Sequence, residues 1–140
     1  MSVKTYDPKQ VIVIVDGSQM SGFAEGTFVK VGRHEDAWSL QIGADGEGTR
    51  SKSNNKSGTI TFTLMQSSDS NVILSALAQL DELSNAGAVA VMVKDNSGSS
   101  LYVAEQAWIK KVADSEFGKE AGHREWVLET NILICNVGGN

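Results

Sequence analysis

The sequence predicts a mainly β fold, an antiparallel β-sandwich or barrel with one packed α-helix. Short segments in which apolar and polar residues alternate recur between turn residues along most of the chain. Helical spacing occurs in one segment, at about residues 70–85. The single proline is Pro8, so strands that follow it can pair without interruption. At 140 residues the chain is long enough to bury a core, and we expect one domain, residues 1–140.

The first elements follow from local composition. Residues 1–9 are polar and contain Pro8, which predicts an N-terminal arm at the surface. Val11–Val15 is a run of five β-branched residues, too short for a helix and typical of a strand covered on both faces. Thr27–Gly32 is predicted to be the next strand, with Phe28 and Lys30 on one face and Val29 and Val31 on the other.

A strand at Trp38–Ile42 leads into a long polar segment, residues 43–57, which we predict to be a loop. It contains no large apolar side chain, and Asp45-Gly46 is a flexible turn pair. A small domain rarely leaves such a length of chain unburied unless the segment is functional or disordered. We therefore expect the loop to make contacts outside its own subunit.

The next strand, Gly58–Met65, is predicted to be half buried. Three threonines on one face alternate with isoleucine, phenylalanine and leucine on the other. The pattern therefore gives this strand one wet face and one dry face.

One amphipathic helix is predicted after this strand. Ser67, Ser68 and Asp69 are N-cap candidates, and Gly87 is expected to end the helix. The apolar residues between them recur at three- and four-residue spacing, as one stripe: Val72, Ile73, Ala76, Leu77, Leu80 and Leu83.

Three further strand regions complete the chain. Ala88–Lys94 and Leu101–Val112 are separated by a hairpin turn at residues 96–98. His123–Val137 is the last strand region, and residues 138–140 are expected to be a loose end. The total is seven or eight strands and one helix.

No pattern for catalysis, cofactor or metal is complete in this chain. The glycines of residues 43–50 have the spacing of a phosphate-binding loop, but the lysine is missing and Asp45 and Glu47 would repel phosphate. These two carboxylates do not continue into a calcium-ligand series. His34 and His123 have no partners at metal-ligand spacing, and the single Cys135 is expected to be an inert thiol. We therefore expect no cofactor and no enzyme activity.

Charge and hydropathy limit the functional classes further. The formal net charge of −5 argues against a surface that grips nucleic acid. The N-terminus lacks the apolar core of a signal peptide, and the longest apolar runs are too short to span a bilayer. We expect a soluble protein that is made in a cytoplasm and has no membrane segment.

An ordered set of segments resembles the tail tube (inner tube) proteins of contractile-tailed bacteriophages, which are related to type VI secretion tube proteins. The segments are Gly22–Val31, Asp36–Ser39, Gly43–Gly48, Arg50–Thr61, Leu64–Ser75, Lys94–Gly98, Ala107–Lys111 and Arg124–Leu128. The resemblance covers roughly residues 11–130. It departs from the family pattern at Val112-Ala113, where a proline is usual.

The resemblance implies a structural virion protein rather than an enzyme. Its copies would form hexameric rings that stack into a hollow tube, inside a contractile sheath and between baseplate and tail terminator proteins. Phage DNA would be ejected through the lumen without specific binding. The protein would belong to the tail of the virion and be assembled in the host cytoplasm.

Two groups of residues acquire expected roles from this resemblance. The extended loop, residues 43–57, would reach the next ring, and the candidates for inter-ring contact are Asp45, Glu47, Arg50, Lys52, Asn54 and Asn55. The small uncharged wet face of Gly58–Met65 would line the lumen, and its residues are Thr59, Thr61 and Thr63.

Two alternatives belong to other functional classes. One is a small soluble β-barrel that binds a ligand or acts as an enzyme, with a pocket near Trp38 or Trp126. The other is a tail baseplate or adaptor component.

Overall fold

Eleven regular elements and one 3-10 turn make up the fold in the computed structural model, which describes residues 3–139. The turn is Pro8–Gln10, and the helix, α1, is Ser70–Ser84. The strands are β1 Val11–Val15, β2 Ser18–Gln19, β3 Val29–Arg33, β4 Trp38–Ile42, β5 Gly48–Lys52, β6 Gly58–Met65, β7 Val89–Asp95, β8 Leu101–Lys111, β9 His123–Thr130 and β10 Ile134–Asn136. The prediction of a mainly β fold with one helix is confirmed.

Eight strands form one antiparallel sheet with the order β2-β1-β7-β8-β9-β6-β3. β10 lies off this path and pairs with the first residues of β8. The sheet is open and sandwich-like, because β2 and β3 stand at opposite ends of its path. β8 is bulged against both of its neighbours on the path, and bulges of this kind bend a sheet.

The core lies on one face of the large sheet and is completed by α1. Its fully buried large side chains are Val13, Val15, Met20, Ile60, Phe62, Leu64, Leu74, Val91, Leu128 and Leu133. Alternation in β6 produced the predicted result: the apolar residues are buried and the threonines are half exposed. β1 is covered more on one face than the other, since Val13 and Val15 are buried while Ile12 and Ile14 are partly exposed.

The helix lies where it was predicted, but its buried face is different. Leu74, Leu77 and Ala78 contact the sheet, and of the predicted apolar stripe only Leu77 is buried. The other five stripe residues are exposed. The sequence contains two overlapping apolar stripes, and periodicity alone does not say which of them faces the sheet.

The caps of the helix differ in detail from the prediction. Asp69 makes no side-chain cap hydrogen bond, and the Ser68 hydroxyl instead accepts the N–H of Ser70 at 3.2 Å. Asn85, in the left-handed conformation, ends the helix before Gly87.

The predicted long loop is only partly a loop. Gly48–Lys52 is a strand that pairs with Trp38–Ile42, so a β-hairpin occupies most of this region. β5 has no apolar residue to produce an alternating pattern, and pairing with β4 rather than burial is what orders it.

The predicted N-terminal arm and the predicted loose C-terminal end both include residues outside the described range, residues 3–139. Of the predicted arm, residues 1 and 2 lie outside the described part, and residues 3–6 are exposed. Asn140 also lies outside it, but Gly138 and Gly139 are not loose. Their N–H groups donate to the hydroxyls of Ser100 and Ser99, at 3.1 and 3.3 Å, which fastens the tail to the β7–β8 turn.

A projecting hairpin as the candidate assembly site

β4 and β5 form a two-stranded sheet of their own, separate from the eight-stranded sheet. Trp38 lies opposite Lys52, Leu40 opposite Arg50, and Ile42 opposite Gly48. Every residue of both strands is exposed. The hairpin therefore projects from the body of the subunit.

A compact turn at residues 43–47 connects the two strands. The N–H of Gly43 donates to the carbonyl of Glu47 at 2.8 Å, and the N–H of Gly46 donates to the carbonyl of Gly43 at 3.0 Å. The Asp45 carboxylate accepts the N–H of Glu47 at 3.1 Å. Gly46 has φ +90°, a conformation that glycine adopts without strain. The Asp45 side chain and the Glu47 backbone thus shape the tip of the hairpin.

The two faces of the hairpin differ in chemistry. Directly opposed residues point to the same side, so one face carries three apolar and two cationic side chains: Trp38, Leu40, Ile42, Arg50 and Lys52. The other face is polar and uncharged, and its residues are Ser39, Gln41, Thr49 and Ser51.

Arg50 and Trp38 brace the apolar face. The guanidinium carbon of Arg50 lies 3.8 Å from the centroid of the Trp38 ring, a cation–π contact. At an exposed site such a contact is worth about 0.5–1 kcal/mol. The exposed fractions of Leu40 and Ile42 are 69 % and 62 %, so nothing in the described part of the chain covers them.

The root of the hairpin is held by a chain of backbone and side-chain hydrogen bonds. The N–H of Ser53 donates to the carbonyl of Ala37 at 2.8 Å, and the amide oxygen of Asn55 accepts the N–H of Ser57 at 3.0 Å. The N–H of Leu133 donates to the carbonyl of Lys56 at 2.8 Å, which joins the return segment to the body. The hairpin is thus anchored at one end and free along its length.

The predicted inter-ring candidates occupy three different places in this unit. Asp45 and Glu47 are at the tip, and Arg50 and Lys52 are on β5. Asn54 and Asn55 are at the root, where Asn55 is engaged in bonds within the chain. Of the six, only Arg50 and Lys52 share the exposed apolar face.

Sequence reasoning missed the three apolar members of that face as contact residues. Leu40 and Ile42 were recognised only as members of an alternating strand, and Trp38 was otherwise considered only for a ligand pocket. The Asp45-Gly46 turn pair after that strand was an available hairpin signal. The sequence pattern could not show that the apolar face of the hairpin has no partner inside the subunit.

The predicted lumen residues lie on the face of β6 that is turned away from the core. Thr59, Thr61 and Thr63 are partly exposed and lie opposite Glu129, Val127 and Glu125 of β9. Glu129 is paired with Lys110 and with His34, each at 3.5 Å. Glu125 is exposed beside Thr63.

The two tryptophans that were considered for a ligand pocket differ in their surroundings. Trp38 borders an open depression that is also lined by Glu35, Asp36, Ser39, Ser51, Lys52 and Ser53. Trp126 is buried, and its indole N–H donates to the Asn71 side chain at 2.9 Å. Trp38 lies on the projecting hairpin. Within residues 3–139 no three His, Cys, Asp or Glu side chains are grouped as metal ligands would be. The one helix of that region is also too short and too polar to cross a bilayer.

The sequence model of the family described as the bacteriophage PhiTE tail tube protein matches residues 7–138. The chain belongs to this tail tube family. It is therefore a structural phage tail protein and not an enzyme, so the alternative of a small β-barrel enzyme is wrong.

A curated relative supports this membership. Structural protein ORF10 of Pseudomonas phage KPP10 is 32% identical over 144 residues, which cover 97% of this chain and 83% of that protein.

Solved structures of contractile injection systems contain the same fold. A chain in the PVC sheath/tube terminator structure matches with a TM-score of 0.63 at 11% identity, over 98% of this chain and 100% of that one. A chain in the PVC sheath-tube complex matches with a TM-score of 0.62 at 11% identity, over 94% and 91%. The cap that terminates the tube of the anti-feeding prophage matches with a TM-score of 0.59 at 10% identity, over 97% and 94%.

Proposed function

We propose that this tail tube protein is the subunit of the inner tail tube. Hexameric rings stack into a hollow tube through which phage DNA is ejected. The observation that supports this most directly is the projecting hairpin. Its apolar face is exposed on a subunit of a tail tube family, and exposed apolar surface of this kind marks an interaction site.

The open sheet supports ring formation. β2 and β3 are the terminal strands of its path, and each terminal strand has backbone groups available on one side. Pairing β3 of one copy with an edge strand of the next would continue the sheet around the ring. A head-to-tail contact closes when its rotation divides the circle.

The hairpin supplies the contact between rings. Its length carries Asp45, Glu47, Arg50 and Lys52 beyond the body of the subunit, and Asn54 and Asn55 lie at its root. Charged groups that are partly buried in such a contact form stronger hydrogen bonds than exposed neutral ones.

The threonine face of β6 lines the lumen in this proposal. Thr59, Thr61 and Thr63 are small and uncharged, and Glu125 beside them is exposed. Exposed Lys30 of β3 lies opposite Thr61 on the same face, so the charge of this wall is mixed rather than purely acidic. In this proposal DNA passes without being held because the threonine hydroxyls are uncharged and the carboxylates repel phosphate.

The partners and location follow from the same proposal. The tube lies within a contractile sheath, between baseplate and terminator proteins, in the tail of a virion assembled in the host cytoplasm. Two of the similar structures are a sheath/tube terminator complex and a sheath-tube complex, which supports a contractile rather than a bare tail.

A second candidate function is a terminator, cap or baseplate adaptor ring. It is favoured by the similarity to chains in a terminator complex and in a tube-terminating cap. The two candidates differ in the size of the assembly. A cap stops at one ring, whereas a tube subunit adds rings and its particles lengthen as protein concentration rises.

Negative-stain electron microscopy of the purified protein, with light scattering on the same sample, tests the proposal. We expect hollow rings and tubes whose mean length grows with concentration. The variant Ile42→Asp places a charge on the apolar face of the hairpin and should leave single rings or free subunits. Gln41→Asp, its matched control on the opposite face, should still form tubes.

Two results would contradict the proposal. One is a subunit that stays monomeric at every concentration. The other is an assembly that Ile42→Asp and Gln41→Asp impair equally, because the apolar face would then have no special role.

A further inference from the structure

The helix α1 has a second apolar surface that the described part of the chain leaves largely exposed. Its exposed fractions reach 70 % at Val72 and 89 % at Leu83. At 100° per residue the five exposed apolar side chains fall within an arc of about 100°. We call them the helix stripe, and they are Val72, Ile73, Ala76, Leu80 and Leu83.

We propose that the helix stripe of one copy is the surface that receives the apolar face of the hairpin from a second copy. This inference rests on the proposed function, and it names the docking surface that the proposal leaves open. In each copy the hairpin forms a separate sheet, and its Leu40 and Ile42 are exposed. The apolar face of the hairpin therefore does not cover the helix stripe of its own subunit. A head-to-tail contact between unlike surfaces propagates an assembly.

The charged residues of the hairpin face and of the helix itself are of opposite sign, although Lys110 and Lys111 of β8 border the same depression as Asp81 and Glu82. The hairpin face carries Arg50 and Lys52 beside its apolar residues. The helix contains no lysine or arginine; its charged residues are Asp81 and Glu82, with Asp69 immediately before it. Glu82 is exposed, and Asp69 makes no cap hydrogen bond. Opposite charge around an apolar contact favours the correct pairing and speeds association.

A depression at one edge of the helix stripe, to which Val72 and Ala76 contribute, also suits branched side chains. It is shallow and is lined by Asn71, Val72, Ser75, Ala76 and Gln79. The small side chains at its centre leave space for a side chain from a partner. Branched side chains such as those of leucine and isoleucine pack well into the grooves between the side-chain ridges of a helix. Leu40 and Ile42 are the exposed branched residues of the hairpin face.

One other surface is a rival for the hairpin. Ile132 and Ile134 are about half exposed and border a depression with Glu105, Gln106 and Asn131. This patch offers fewer exposed apolar residues than the helix stripe. The two surfaces lie on different elements, so cross-linking distinguishes between them.

Paired cysteines test the inference in assembled protein. In a Cys135→Ser background, Leu40→Cys is combined with Ala76→Cys, and a short bis-maleimide is added to the assembled tubes. We expect a ladder of covalent oligomers on a denaturing gel. Two pairs serve as controls: Ser39→Cys with Ala76→Cys presents the opposite hairpin face, and Leu40→Cys with Ile134→Cys probes the rival patch. Both should give at least tenfold less product.

The failures of the two proposals look different. Tubes that are visible in the microscope but cross-link through positions 40 and 134, or equally through 39 and 76, overturn the docking surface and leave the tube function intact. Protein that never assembles, in the cysteine variants and in the unmodified chain alike, overturns the tube function, and the docking surface falls with it.

Discussion

The large sheet and the hairpin have the same alternating pattern of apolar and polar residues, but the apolar residues are buried in the sheet and exposed in the hairpin. In β6 the apolar residues Ile60, Phe62 and Leu64 are buried, because the rest of the sheet and α1 cover them. In β4, Leu40 and Ile42 alternate in the same way and are exposed. Alternation thus specifies a strand with an apolar face, and it does not specify whether that face is covered by the same chain.

The largest effect on the free energy of unfolding is expected at the centre of the sheet. Phe62 is fully buried, so Phe62→Ala should cost about 3–5 kcal/mol through lost burial and a cavity. Denaturant unfolding measures the loss. A change below about 1 kcal/mol would mean that the sheet tolerates truncation as well as an exposed surface does, and the buried face of β6 would then not differ from the exposed face of β4.

The next largest difference in stability is expected between alanine substitutions at Gly58 in the sheet and at Gly48 in the hairpin. A Cβ on Gly58 would lie 2.6 Å from the carbonyl oxygen of Gly32 and 2.6 Å from a methyl of Leu133. Gly58→Ala should therefore destabilise the protein by about 1–3 kcal/mol, the usual cost of overpacking. At Gly48 in the hairpin the nearest atoms are ends of flexible side chains at 3.3 and 3.4 Å.

Gly48→Ala is the matched control for that glycine, and it should leave the thermal midpoint close to that of the unmodified protein. Calorimetry of the two variants checks the expectation. Equal losses at both positions would show that the hairpin is packed as tightly as the sheet.

Within the hairpin, Arg50→Ala should have a smaller and local effect. It removes the stack on Trp38, worth about 0.5–1 kcal/mol, while the body of the subunit is unchanged. Hydrogen exchange should become several-fold faster in β4 and β5 of the free subunit and stay the same in β6. Lys52→Ala is the comparison, because Lys52 lies on the same face outside that stack. Uniform acceleration through the whole chain would show that the hairpin is not an independent unit.

The smallest effect on unfolding is expected for Leu40→Asp. An exposed side chain with no partner in the subunit contributes little to its stability, so the change should stay within about 0.5 kcal/mol. Tube formation, followed by light scattering, should nevertheless be strongly reduced. Loss of subunit stability by more than about 2 kcal/mol would show that Leu40 is already buried in the free protein.

The elements that the sequence predicted are those with a regular apolar–polar pattern, whether or not the chain itself covers the apolar face. β6 was predicted with its buried and exposed faces, because burial follows a period of two there. β5 was missed, because an exposed polar strand has no such pattern. His123–Val137 was predicted as one strand region, but its second part turns at residues 131–133 to pair with β8.

The position of the candidate site along the chain was predictable from the sequence, but the residues that form its exposed apolar surfaces were not. The segment around residues 43–57 was recognised because it buries nothing. The helix stripe and the apolar face of the hairpin were both visible as apolar patterns, but their exposure depends on what the rest of the chain covers. Local spacing contains no information on that question, so the residues that need a partner could be identified only in the folded subunit.

The cationic residues of β5 have a consequence for how the free subunit avoids aggregation. The outer edge of a two-stranded sheet can template pairing with further copies, and an apolar face next to such an edge increases that hazard. Arg50 and Lys52 interrupt the edge with like charges, so two β5 strands that approach side by side repel each other. Salt screens this repulsion over distances beyond about 8 Å at physiological ionic strength. Low salt should therefore disfavour edge-to-edge pairing of β5 strands while it strengthens the attraction of the same cations to the acidic residues of the helix, so it favours ordered assembly over aggregation.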